Sequence, residues 1–126
     1  MDIGQLRNNT TFYDGYEGED EVIFEIEKDR TFNLHIWVGY LDDILRKPDL
    51  SGRGWTGLTR DYHQAENAFS GSGAEHIISP DEYLADIEQY KSRTFETPES
   101  KQVLELLILF MKHALNRSSR VIMKVS

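Results

Sequence analysis

EVIFEIEKDRTFNLHIWV, residues 21–38, decides the fold. Val22, Phe24 and Ile26 alternate with Glu21, Ile23, Glu25 and Glu27. A period of two with charge on the second face marks a half-buried strand. Lys28-Asp29-Arg30 reads as a turn. Phe32, Leu34, Ile36 and Val38 then alternate with Thr31, Asn33, His35 and Trp37. The two runs predict an antiparallel hairpin with one apolar face. The outer face of the first run is acidic and that of the second carries His35 and Trp37, so the second is expected nearer the sheet centre. His35 and Trp37 read as cross-strand packing partners ahead of ligands.

Toward the C-terminus, Ser79-Pro80-Asp81-Glu82 has the form of a helix start. The serine hydroxyl can accept a backbone N–H, proline suits the first turn, and two acids complement the helix dipole. Thr97-Pro98-Glu99 repeats the pattern and predicts a threonine cap. The helix after it, to about Asn116, has Val103, Leu104, Leu106, Leu107, Ile108, Phe110, Met111, Ala114 and Leu115 over more than half its circumference. So wide an apolar arc means burial against several neighbours. Val121, Met123 and Val125 predict a closing strand.

Elsewhere the pattern is weaker. Residues 1–20 read as a loosely ordered acidic arm with Phe12, Tyr13 and Tyr16 as anchors. Tyr40 to Lys47 predicts a short helix ended by Pro48, because the residue before proline is pushed out of the helical region. Ser51 to Gly57 reads as loop. Leu58 to Phe69 mixes strand formers with helix formers, and Ser70-Gly71-Ser72-Gly73 reads as a connection. With strands and helices grouped, the 126 residues predict a single α+β domain: a small, mainly antiparallel sheet with helices packed on one face.

The charge is uneven. Residues 1–29 hold nine acids against two bases, −7 of the chain's net −8. A nucleic-acid binder needs the opposite sign on a coherent face. A local negative field favours a basic partner, or a metal ion, or serves solubility. Cysteine is absent, which excludes disulfides and thiolate metal sites. The longest apolar run, Leu106 to Met111, falls far short of the ~20 residues of a membrane helix, and Met1 to Thr10 lacks the look of a secretion signal. A cytoplasmic protein is the expectation, with neither nucleic acid nor membrane as partner.

Catalytic signatures are missing: no nucleophile elbow, phosphate-cradling glycine loop, dinucleotide fingerprint or H-E-x-x-H. The expectation is that the chain is not an enzyme and uses neither cofactor nor metal. Asp14 to Glu21 fails the calcium-loop pattern, since Tyr16 stands where a third-position oxygen ligand is needed. His63 with Glu66 three positions on could form an acid–base or metal pair if helical, which keeps a small metal-dependent hydrolase as the alternative. A generic acidic adaptor is a further one. Two groups are nominated for partner binding. Asp14, Glu17, Glu19, Asp20 and Glu21 would act by charge. Arg53, Trp55, Arg60, Asp61, Tyr62 and His63 form a segment rich in the residue types that dominate binding hot spots. Against that, Trp55 and Tyr62 could plug the core edge while Arg60 and Asp61 pair locally.

The run Gly54-Trp55 through Thr59-Arg60-Asp61-Tyr62-His63-Gln64, the start Ile78-Ser79-Pro80-Asp81-Glu82-Tyr83-Leu84, and the leucine-rich helix with its terminal strand resemble small bacterial immunity proteins of contact-dependent growth inhibition systems. The resemblance spans about residues 20–126. It implies a cytoplasmic protein that binds and neutralises a toxin domain, often a nuclease, delivered by a neighbouring cell. It carries over no particular contact residue.

Overall fold

The computed structural model describes residues 3–46, 56–63 and 73–126. Its strands are β1 (Asn9–Phe12), β2 (Glu21–Ile26), β3 (Asp29–Trp37), β4 (His76–Ile78) and β5 (Val121–Val125). Its helices are α1 (Val38–Leu45), α2 (Gly57–His63), α3 (Pro80–Ile87) and α4 (Glu99–Asn116). The chain is an α+β domain around one five-stranded sheet of order β1-β3-β2-β5-β4. Every neighbouring pair is antiparallel except β1 with β3.

The hairpin forms as its alternation predicts. Val22, Phe24 and Ile26 are fully buried, as are Leu34 and Ile36, and Val22 lies between Ile36 and Val125 in register. Helix α4 supplies the largest share of the core opposite them. Val103, Leu104, Leu106, Leu107, Ile108, Phe110, Met111 and Ala114 are all buried. Burying apolar surface on this scale is the dominant favourable contribution to folding.

Three expectations are corrected and one unread strand is added. Residues 1–20 are not a loose arm throughout: a 3-10 turn at Ile3–Leu6 buries Leu6 completely, and β1 joins the sheet alongside β3. The anchors act as expected, with Phe12 edge-on to Tyr40 and Tyr16 stacked on Trp37. The central strand is β2, not β3. Its acids are accommodated because Glu25 pairs with Arg30 and Lys124, and Glu21 with His35. His76–Ile78, unread in the sequence, is an edge strand on β5. Finally, Thr97 does not cap α4. The carboxylate of Asp43, on α1, accepts from the backbone of Glu96 and Thr97 (3.2 and 2.9 Å) and from Ser100 Oγ (2.7 Å). It satisfies donors at the helix start that would otherwise be orphaned. Ser79 does cap α3, accepting from the Glu82 N–H.

Candidate functional site

The two nominated groups lie in different settings. Arg53 and Trp55 fall outside the described residues, as does Glu66. The remainder of the second group is helix α2 and its fastenings. Thr59 is buried, and both its N–H and its hydroxyl donate to Asp86 Oδ2 at 2.8 Å. Its Oγ1 also lies 2.6 Å from the Tyr90 hydroxyl. Tyr62 donates to Asp42 of α1, and Tyr83 of α3 donates to Asp61. Arg60 bridges Asp61 and Glu82 at 3.1 and 2.6 Å. His63 Nε2–H donates to the Leu45 carbonyl at 2.9 Å. Gly57 adopts a left-handed φ of +57°, and a Cβ there would meet the Asp86 side chain and the Glu82 carbonyl.

These bonds leave their mark on proton affinity. Burial raises Asp86 above the usual carboxylate range, against the lowering effect of Thr59 and Gln89. Burial, then the bond to Asp42, raises the Tyr62 hydroxyl. Burial also dominates at Tyr83, reinforced by Asp61. Arg60 and Asp61 pair with each other and Tyr62 is tied to Asp42, which fits the core-edge alternative for those three residues; His63, outside that alternative, donates to the Leu45 carbonyl. Replacing any of them acts on the docking of α2 before it acts on any surface.

The acidic group converges on one end of the sheet. Asp14, Glu17, Glu19 and Asp20 are exposed in the turn between β1 and β2, and Glu21 opens β2 opposite Trp37. Beneath them is an aromatic cluster. Tyr16 stacks on Trp37 with centroids 4.0 Å apart and planes 3° from parallel, and both meet Tyr40 edge-on. The Trp37 ring also lies against Gly39, leaving no room for a side chain there. Trp37 Nε1–H donates to Glu19 Oε1 at 3.3 Å, and the Tyr13 hydroxyl donates to the Glu19 carbonyl. Burial, the contact with Tyr16 and the charge of Glu99 push the Tyr40 hydroxyl up to about 12.

No ion pair among the described residues joins Asp14, Glu17, Glu19 or Asp20 to a lysine or arginine. Glu21 Oε2 meets only His35 Nδ1, at 3.0 Å, and His35 Nε2 lies 3.0 Å from Asn33 Oδ1. His35 is therefore a hydrogen-bonded link in the sheet's second face, more than a packing surface. Backbone N–H groups of Glu17 and Gly15 hold the Glu17 carboxyl below its ordinary value. The end of the sheet is a ledge of carboxylates, unpaired with lysine or arginine among the described residues and fixed on stacked rings.

Other features complete the surface. A cleft of about 420 Å³ beside the connection from α3 to α4 is lined by Ser92, Arg93, Thr94, Phe95, Thr97, Pro98 and Lys101, none of them nominated from the sequence. Among the described residues no three His, Asp or Glu side chains gather as a metal site, and no helix is long and apolar enough to cross a membrane. No protein-family model, curated protein or solved structure matches the chain.

Proposed function

We propose that this domain is an immunity-type binding protein: it holds a basic toxin domain, of nuclease type, by its acidic end in the cytoplasm and keeps it from its substrate. The observation that carries the reading is the ledge formed by Asp14, Glu17, Glu19, Asp20 and Glu21, whose charge is uncompensated by any described lysine or arginine pair. A nuclease surface is basic because it must hold phosphates. Clustered carboxylates reinforce one another at the ~8 Å reach of electrostatics in physiological salt. They steer such a partner to the ledge, and the Tyr16–Trp37 stack offers a rigid apolar base beneath. The resemblance of the sequence to contact-dependent growth inhibition immunity proteins supports the same reading.

The test is to look for a secreted protein with a C-terminal toxin domain encoded beside this chain and to measure binding kinetics with that domain. Neutralising Glu17, Glu19 and Asp20 together is expected to slow association at low salt and flatten its salt dependence, with dissociation changed less. Association at the wild-type rate in low salt would reduce the charge to a solubility device.

A further inference from the structure

The opposite end of the molecule has the opposite character. There the turn after β2 meets the C-terminus of α4 and the residues leading into β1. We propose that Arg7 and Arg117, both lying over the ring of Phe32, form a binding site for a phosphate-class oxyanion.

The geometry comes from three parts of the chain. Phe32 on β3 is buried, and the Arg7 guanidinium carbon lies 4.0 Å from its ring centroid. That of Arg117, just past α4, lies 5.3 Å from the same centroid. A guanidinium over an aromatic ring keeps its N–H donors in its own plane, directed away from the ring. Arg7 spends one of them on Thr31 Oγ1 at 2.6 Å. Two planar forks held by one ring suit the oxygens of a phosphoryl group.

The charge around them is not balanced. Lys28 stands beside Arg117, its Nζ donating to the Arg117 carbonyl at 3.4 Å. That bond fills the ordinary role of a cation at a helix C-terminus, where the dipole is negative. The nearby carboxylate is Asp29, and it is already engaged. It accepts from the Thr31 N–H and hydroxyl, and it reaches Arg117 only at 4.0 Å. Arg7 and Lys28 form no ion pair among the described residues. Arg120, close in sequence, is paired with Glu27. On a chain of net charge −8, a surplus of guanidinium at one point is conspicuous.

A second observation concerns His113, on the last turns of α4. Its ring lies 4.5 Å from that of Phe32, and its Nε2 is buried with no hydrogen-bond partner among the described residues. Burial first, then the charges of Arg117 and Arg7, hold its pKa below the ordinary value, while Asp29 acts the other way. A buried polar atom without a partner bears its full desolvation cost, and here it is borne beside two cations. An oxyanion between the arginines cancels their effect on His113. The histidine thus reports on the site without having to touch the ligand.

The experiment is a pH titration of the His113 Hε1 and Cε1 signals in the isotope-labelled full chain. Inorganic phosphate is compared with chloride at matched ionic strength, with His35 and His76 as internal references. Phosphate is expected to raise the His113 midpoint by about one unit, as a neighbouring opposite charge does, and to leave the references in place. The Arg7→Gln/Arg117→Gln variant should lose this response, and Arg7→Lys, which keeps charge without the fork, should weaken it. A further titration with adenosine monophosphate separates sources. A response to both ligands assigns the site to phosphoryl groups in general, and a response to phosphate alone assigns it to the free ion. A His113 midpoint equal in phosphate and chloride, or a response that survives in the double glutamine variant, overturns the proposal. Because wild-type protein alone decides the first comparison, the outcome does not depend on whether the variants fold. It also stands apart from the toxin-binding reading, which concerns the other end of the sheet.

Discussion

Helices α2 and α4 pack into the same domain by different means. Helix α4 buries eight apolar side chains and needs almost no polar contact along its length. Helix α2 buries Leu58 and is held largely by hydrogen bonds, among them those to carboxylates of its neighbours: Asp42 on α1, Glu82 and Asp86 on α3. Apolar packing is non-directional and tolerates small adjustments. A buried polar network is all-or-none, because each group left without a partner bears its full desolvation cost.

This contrast sets the expected ranking of substitutions. Leu107→Ala on α4 should cost about 2–5 kcal/mol by denaturant unfolding, the range for a buried leucine. An unchanged midpoint would mean α4 is not the core element. Thr59→Val on α2 keeps the shape but removes a hydroxyl that bonds Asp86 and meets Tyr90. It should cost about 1–3 kcal/mol. A larger loss than that of Leu107→Ala would reverse the comparison.

The start of α4 yields a prediction about pH. Asp43 is held below its ordinary 3.8: burial works to raise it, but the bonds from Ser100, Thr97 and Glu96 and the charge of Arg46 outweigh burial. A depressed carboxylate stabilises the folded state above its unfolded pKa, and that stabilisation is lost as pH falls through the folded value. Asp43→Asn should therefore be less stable than wild type at neutral pH, with the gap closing as pH drops below about 4. A gap that stays constant with pH would show that Asp43 acts by shape alone. Asp86, raised by burial, has the opposite sign. Its ionisation opposes folding, so its part of the stability profile improves as pH falls.

The smallest effects separate the two helix starts that look alike in sequence. Ser79→Ala should cost about 1 kcal/mol, as the loss of a capping hydroxyl does. Thr97→Ala should cost much less, because the Thr97 contribution is its backbone N–H to Asp43. Equal losses in thermal unfolding would put the threonine hydroxyl back at the helix start.

The same contrast explains what could be read from the chain alone. The hairpin, α4 and β5 announce themselves because their partners are encoded as a period: Val22, Phe24, Ile26 for a strand, Leu104, Leu107, Met111 for a helix. Helix α2 does not, because Thr59 takes its meaning from Asp86, 27 residues away. Thr97 likewise hides the fact that Asp43, 54 residues earlier, caps α4. Residues 9–11 are polar and β4 is only His76-Ile77-Ile78, so neither edge strand has a period long enough to recognise. The acidic ledge was legible by counting charge and Tyr16 as an anchor, though the stacking of Tyr16 on Trp37 was not. The cluster of Arg7, Phe32, His113 and Arg117 left no local signal at all, since its members come from separate parts of the chain.

The outer border of β1 bears on how this protein stays dissolved. An edge strand presents unpaired backbone groups that can recruit another chain. In β1 the Thr11 N–H is taken by the Asn9 side-chain oxygen, while the Asn9 amide donates to the Gln5 carbonyl. One asparagine thus occupies a donor of β1 that an incoming strand would need, and ties itself back to the turn before the strand. At the far border, β4, no such side-chain bond is seen among the described residues, and Ile77 there is 55% exposed. Its three residues are too few to template a long ladder. If the folded protein ever accretes into fibres, growth should begin at β4, not at β1.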